Sequence, residues 1–134
     1  MEKRHIKAHI ECNSDGFYTV YFDDDLPFGC FGEGHSAKEA KEDFLAVFEE
    51  MRRNHLERTG ENVEAEFEFV YDASAFLQHY KGLLTLAGLS RMTGINKGQL
   101  SQYVTGRRHP SPKTQERIKA SVQQFAQELG RAMA

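Results

Sequence analysis

Lys97, Gly98, Gln99, Ser101 and Gln102 stand within six positions of one another. They are short or hydrogen-bonding residues, as entry into a DNA major groove requires. Lysine can donate to the acceptor pair of guanine, and a glutamine amide can pair bidentately with adenine. Thr105, Arg107, Arg108 and His109 follow directly. They can grip phosphates, contacts that set position without reading sequence. The chemistry this cluster offers is recognition of double-stranded DNA.

Other groupings are weaker. Asp23-Asp24-Asp25 with Glu33 suggests the clustered carboxylates of a two-metal nuclease. Consecutive side chains on a strand point to opposite faces, so three neighbouring aspartates cannot share one site. They also precede a proline-bearing loop, where solvated acids are ordinary. His5 and His9 would share one strand face, but two imidazoles do not close a zinc site, and no Cys-x-x-Cys or His-Glu-x-x-His pattern supplies the rest. Gly29-x-x-Gly32-x-Gly34 lacks the lysine and hydroxyl of a phosphate-binding loop. The expectation is a non-enzymatic protein with no metal and no cofactor. Cys12 and Cys30 are too few for a disulfide scaffold and sit in apolar settings, so both are expected as buried thiols.

These residues need elements to carry them. Ile6, Ala8, Ile10 and Cys12 alternate with polar neighbours, the period of a half-buried strand. Asn13-Ser14-Asp15-Gly16 reads as a turn into a second strand over residues 17–22, making a hairpin, and a short third strand is expected around Cys30 and Phe31. Ser36 with Glu39 forms a capping box for a helix whose inner stripe is Ala40, Phe44, Val47, Phe48 and Met51. After Gly60, Val63, Ala65, Phe67, Phe69 and Tyr71 alternate with Glu64, Glu66 and Glu68, which gives a strand with a line of negative charge on its exposed face. The order β-β-β-α-β implies one helix on a small, mainly antiparallel sheet.

From residue 73 on, helices take over. Ser74 is expected to cap a first helix ending near Lys81 and Gly82, and Thr85 a second over about residues 86–93. Gly94-Ile95-Asn96 forms a tight turn, and Asn96 caps a third helix through Thr105, stopped by Gly106. Leu100 and Val104, four apart, would anchor that helix by its inner face, while Leu89 and Ile95 pack it on its neighbour. Ser111-Pro112 opens a last helix with Ile118, Val122, Phe125 and Leu129 along one stripe. Phe125 and Leu129 are a place for self-association or for closing the module's own core. Two short helices joined by a Gly-containing turn read as a helix-turn-helix.

Charge divides along the same line. Residues 1–72 carry 8 Lys/Arg against 18 Asp/Glu, a net of −10, and residues 73–134 carry 9 against 2, a net of +7. No carboxylate occurs from Ala73 through Gln115. The basic half is fitted to nucleic acid and the acidic half to a basic partner. No apolar run nears the roughly 20 residues that span a bilayer, and the N-terminus does not read as a signal peptide, so a cytoplasmic protein without membrane association is expected.

The stretch 85–112, TLAGLSRMTGINKGQLSQYVTGRRHPSP, closely resembles the phage-repressor-like (Cro/C1, XRE) helix-turn-helix family. The resemblance implies that Lys97, Gly98 and Gln102 read bases, with Gln99 and Ser101 beside them. It departs at Leu86, where a phosphate-binding Gln is usual, and at Ser90, where Ala is usual. The acidic stretch DGFYTVYFDDDLPFGCFGEGHSAKEAKEDFLAVFEEMRR resembles the N-terminal domain of HicB antitoxins, with Phe28 inserted relative to the commoner spacing. Together the two resemblances cover nearly the whole chain. They imply an α+β protein: a partial ribonuclease H-like domain over 1–72 that binds a small basic HicA-like, RNA-cleaving toxin, and an all-α DNA-binding domain over 73–134. Repression of its own operon from double-stranded operator DNA, as a homodimer or higher homo-oligomer, follows from the same likeness. A stand-alone repressor, whose first domain oligomerises or senses a ligand, is the alternative.

Overall fold

The computed structural model describes residues 3–133. It is α+β, and the chain divides into two compact units, Met1–Tyr71 and Asp72–Ala134. No helix among the described residues is long and apolar enough to cross a membrane.

The first unit contains β1 (Arg4–Cys12), β2 (Tyr18–Tyr21), β3 (Phe31–Gly34), α1 (Ala37–Thr59) and β4 (Ala65–Tyr71). The sheet is mixed, in the order β3-β2-β1-β4, with β4 parallel to β1 and the other two pairings antiparallel. A parallel neighbour needs a crossover, and α1 supplies it. The β1–β2 hairpin closes through the turn ending at Gly16, where Gly16 N–H donates to the Asn13 carbonyl. Every second residue of β1 from Ile6 is buried, and α1 sets Ala40, Phe44 and Phe48 beneath the strands. Phe44 is wholly buried and meets Phe67 edge-on at 4.9 Å, the geometry aromatic quadrupoles favour. Strand and helix approach so closely at β3 that a Cβ on Gly32 would strike the Phe44 backbone nitrogen.

Details depart from the sequence pattern. The third strand starts at Phe31, leaving the half-buried Cys30 outside it, and neither cysteine is in a disulfide. Burial, with the Asp43 carboxylate nearby, pushes the Cys30 thiol up to about 11, so it is neutral near pH 7. The α1 cap is only half the expected box. Ser36 Oγ accepts from Glu39 N–H at 3.1 Å, but the Glu39 carboxylate accepts from His35 N–H at 2.8 Å, one residue earlier than a reciprocal box requires. Val47 and Met51 are half-buried, Met51 against the cluster of Phe28, Phe48 and Val63, and the inner stripe extends further to His55. His55 Nε2 meets Glu61 Oε1 at 2.7 Å, which ties the last turn of α1 to the segment entering β4. At the outer edge of the sheet, the Asp43 carboxylate accepts from Glu33 N–H at 2.9 Å.

The second unit contains α2 (Ala73–His79), α3 (Leu86–Thr93), α4 (Lys97–Val104) and α5 (Pro112–Ala132). Its core joins Leu77, Leu89, Ile95, Leu100, Tyr103 and Ile118. Asp72, not Ser74, caps α2: its carboxylate accepts from Ala75 N–H at 2.7 Å. Both residue types cap helices, but packing draws Ser74 inside, where its hydroxyl has no hydrogen-bond partner. Asp72→Ala should therefore lower the stability of this unit by about 1 kcal/mol, while Asp72→Asn retains most of it. Urea unfolding followed by circular dichroism measures the difference. On α5 only Ile118 is buried; Val122 and Phe125 are half-buried and Leu129 is exposed.

Candidate nucleic-acid interface

The link between α3 and α4 is three residues long, and each has a defined task. Gly94 ends α3 in the left-handed conformation at φ 74°, which favours glycine, and a Cβ there would also meet Arg117 Nη2 at 2.6 Å. Ile95 is buried in the core. Asn96 caps α4 by accepting from Gln99 N–H at 2.8 Å. Thr93 braces the corner from inside, donating to the Leu89 carbonyl at 2.7 Å and accepting from Ile95 N–H at 3.2 Å. Thr85 caps α3 in the same way as Asn96 caps α4, accepting from Gly88 N–H at 3.0 Å. Leu86 lies half-buried against the core.

Core packing fixes the roll of α4 about its own axis. Leu100 is fully buried and Tyr103 nearly so, and the half-buried Val104 packs against the same core, so Tyr103 joins Leu100 and Val104 on the inner face. That roll leaves Lys97, Gly98 and Gln102 exposed. Ser101 and Gln99 are half-buried instead of facing fully outward. Gln99 is also tethered: its Nε2 donates to the Tyr103 hydroxyl at 2.7 Å.

The exit from α4 brings the arginines back toward the helix. Gly106 N–H donates to the Tyr103 carbonyl at 3.1 Å and Arg108 N–H to the Gln102 carbonyl at 3.3 Å. Arg107, Arg108 and His109 are all exposed on this folded-back segment. Thr105 is exposed as well, but its hydroxyl lies 3.1 Å from the Ser101 carbonyl and 3.2 Å from that of Gln102. Its proton is thereby directed into the helix end, away from any phosphate. One support escaped the sequence pattern: the Gln78 amide of α2 is oriented to donate to the Val104 carbonyl at 2.9 Å and to accept from Lys81 Nζ at 3.0 Å. It satisfies a carbonyl in the last turn of α4, where intrahelical donors run out.

The unit therefore offers a short, capped helix with a cation, Lys97, and one amide, Gln102, exposed on either side of Gly98, and two exposed arginines just after it. Such a surface can donate to phosphate oxygens and to base edges. In the first unit the acidic residues are dispersed. Asp23, Asp24 and Asp25 lie in the loop between β2 and β3, and Asp23 faces His9 at 3.6 Å. His5 lies beside Glu66 at 3.5 Å. Among the described residues no three His, Cys, Asp or Glu side chains gather as a metal site. Comparison with family models, curated proteins and solved structures finds no match for this chain.

Proposed function

We propose that this chain is a DNA-binding antitoxin, in which the acidic unit neutralises a small basic RNA-cleaving toxin of the HicA kind and the basic unit represses the shared operon. The observation that carries the DNA half is the exposure of Lys97, Gly98 and Gln102 on one capped helix, with Arg107 and Arg108 folded back beside them. The helix pair α3–α4, its left-handed Gly94 and the Asn96 cap support a helix-turn-helix of the phage-repressor type. Leu86 adds packing where that family usually has a phosphate-binding Gln. The β-β-β-α-β order of the first unit supports a partial ribonuclease H-like, HicB-type domain. Its excess of carboxylates would draw in a basic protein and repel DNA, so each partner has its own unit. The protein acts in the cytoplasm as a homo-oligomer, presenting two recognition helices to half-sites about 34 Å apart.

Selection of bound duplexes from a random pool, followed by titration at several salt concentrations, tests the DNA half. Specific binding is expected. Arg107→Ala and Arg108→Ala should weaken all sequences alike and reduce the salt dependence by about one phosphate each. Absence of any duplex binding would overturn the reading. Whether a small basic protein is encoded beside the gene and co-purifies with this chain tests the other half. Specific DNA binding without such a partner would leave a stand-alone repressor.

A further inference from the structure

Lys81 stands in the turn between α2 and α3, far in sequence from the exposed face of α4. The turn is closed, because Leu83 N–H and Leu84 N–H both donate to the Tyr80 carbonyl at 2.9 Å. The lysine is exposed, and among the described residues no carboxylate forms an ion pair with it. What holds it is neutral. Lys81 Nζ donates to the Gln78 amide oxygen at 3.0 Å, and the same amide donates to the Val104 carbonyl at 2.9 Å. A half-buried glutamine of α2 thus links an exposed ammonium to the last turn of α4. Holding a lysine in one geometry costs side-chain entropy. A neutral acceptor leaves its charge available to an anion from outside.

The side of α4 on which this happens is decisive. Arg108 N–H folds the arginine segment back onto the Gln102 carbonyl at 3.3 Å, whereas Gln78 grips the Val104 carbonyl. Two residues along an α-helix amount to about 200° of rotation. The arginines and Lys81 are therefore anchored on nearly opposite sides of the same helix end. A helix lying in a major groove about 12 Å wide has a phosphate backbone along either side. Arg107 and Arg108 serve one backbone, and the other needs a cation of its own. Leu86, the first residue of α3 after the same turn, is half-buried against the core and offers a phosphate nothing.

We propose that Lys81 binds a phosphate of the strand opposite the one held by Arg107 and Arg108, and that Gln78 is its positioning residue. The unit then clamps duplex DNA from both walls of the groove. Because Gln78 ties the ammonium to α4 itself, the second contact keeps its register with Lys97 and Gln102. This role rests on the DNA reading of the unit.

Salt titration of duplex binding by the full chain tests it, together with methylphosphonate duplexes in which single phosphates are neutral. Lys81→Met should weaken selected and scrambled duplexes alike and lower the salt slope by about one. Lys81→Arg should keep the slope. Gln78→Met should lose part of the affinity by itself and nothing further in a Lys81→Met background, since the two side chains act as one unit. One methylphosphonate should weaken the wild type but not Lys81→Met, and it should lie on the strand opposite those that separate the wild type from Arg107→Ala and Arg108→Ala. A lysine that merely settles the negative end of α4 would alter urea unfolding and leave the salt slope untouched. An unchanged slope in Lys81→Met, additive losses for the two substitutions, or a phosphate on the arginines' own strand would overturn the proposal, while loss of affinity in Arg107→Ala would keep the DNA reading standing. A wild type that binds no duplex would overturn both.

Discussion

Phe44→Ala is expected to destabilise the first unit by about 3–5 kcal/mol. The side chain is wholly buried and touches aromatic rings on three sides: Phe67 at 4.9 Å, with Phe22 and Phe69 each at 6.1 Å. Removing it forfeits both the transfer free energy and the edge-to-face contacts. It also leaves a void that cannot collapse easily, because the α1 backbone at this residue is already pressed against Gly32. Small domains hold only about 5–15 kcal/mol of net stability. The variant should therefore melt the acidic unit near ambient temperature while the helical unit keeps its own transition. Thermal unfolding followed separately by near-ultraviolet and far-ultraviolet circular dichroism reads this. A single transition shifted as a whole would contradict a division into two units that fold on their own.

The second large effect concerns specificity. Lys97→Ala and Gln102→Ala should each narrow the gap between preferred and random duplex by about 1–3 kcal/mol, the worth of one bidentate base contact. Both positions are exposed, so the fold should tolerate both changes. Parallel titrations with a selected duplex and a scrambled one measure the gap. If Gln102→Ala lowers both affinities equally, its role is phosphate contact. Gln99→Ala should act differently, because its amide is already committed to Tyr103 and its loss first loosens the helix face.

Local rules reached far into this chain where one short stretch decides the outcome. Thr85, Asn96 and Ser111 cap their helices because each precedes a helical run and has its acceptor oxygen within three residues of the donor N–H. The β1 and β4 alternations were legible for the same reason. The misreadings arise where a distant partner chooses between locally equivalent options. Asp72 and Ser74 are both good caps, and only the burial of Ala73 and Ser74 against the helical core settles which one serves. His55 breaks an apolar pattern, yet Glu61 beyond the helix end makes its burial tolerable. Tyr103 stands next to Val104, and core packing adds it to an inner face that the four-residue spacing of Leu100 and Val104 alone had marked. The inward turn of the Thr105 hydroxyl and the Gln78 brace depend on side-chain geometry, which spacing does not encode.

The bond from Glu33 N–H to the Asp43 carboxylate bears on how this protein stays dispersed. β3 is an outermost strand, and an outermost strand ordinarily presents unsatisfied amides on which another chain can lengthen the sheet. Asp43 reaches across from α1 and occupies one of those amides with a group that carries charge. At the opposite margin β4 is fringed by Glu64, Glu66 and Glu68, so an incoming copy would lay like charge beside like charge. Neither border of the sheet invites stacking into ribbons.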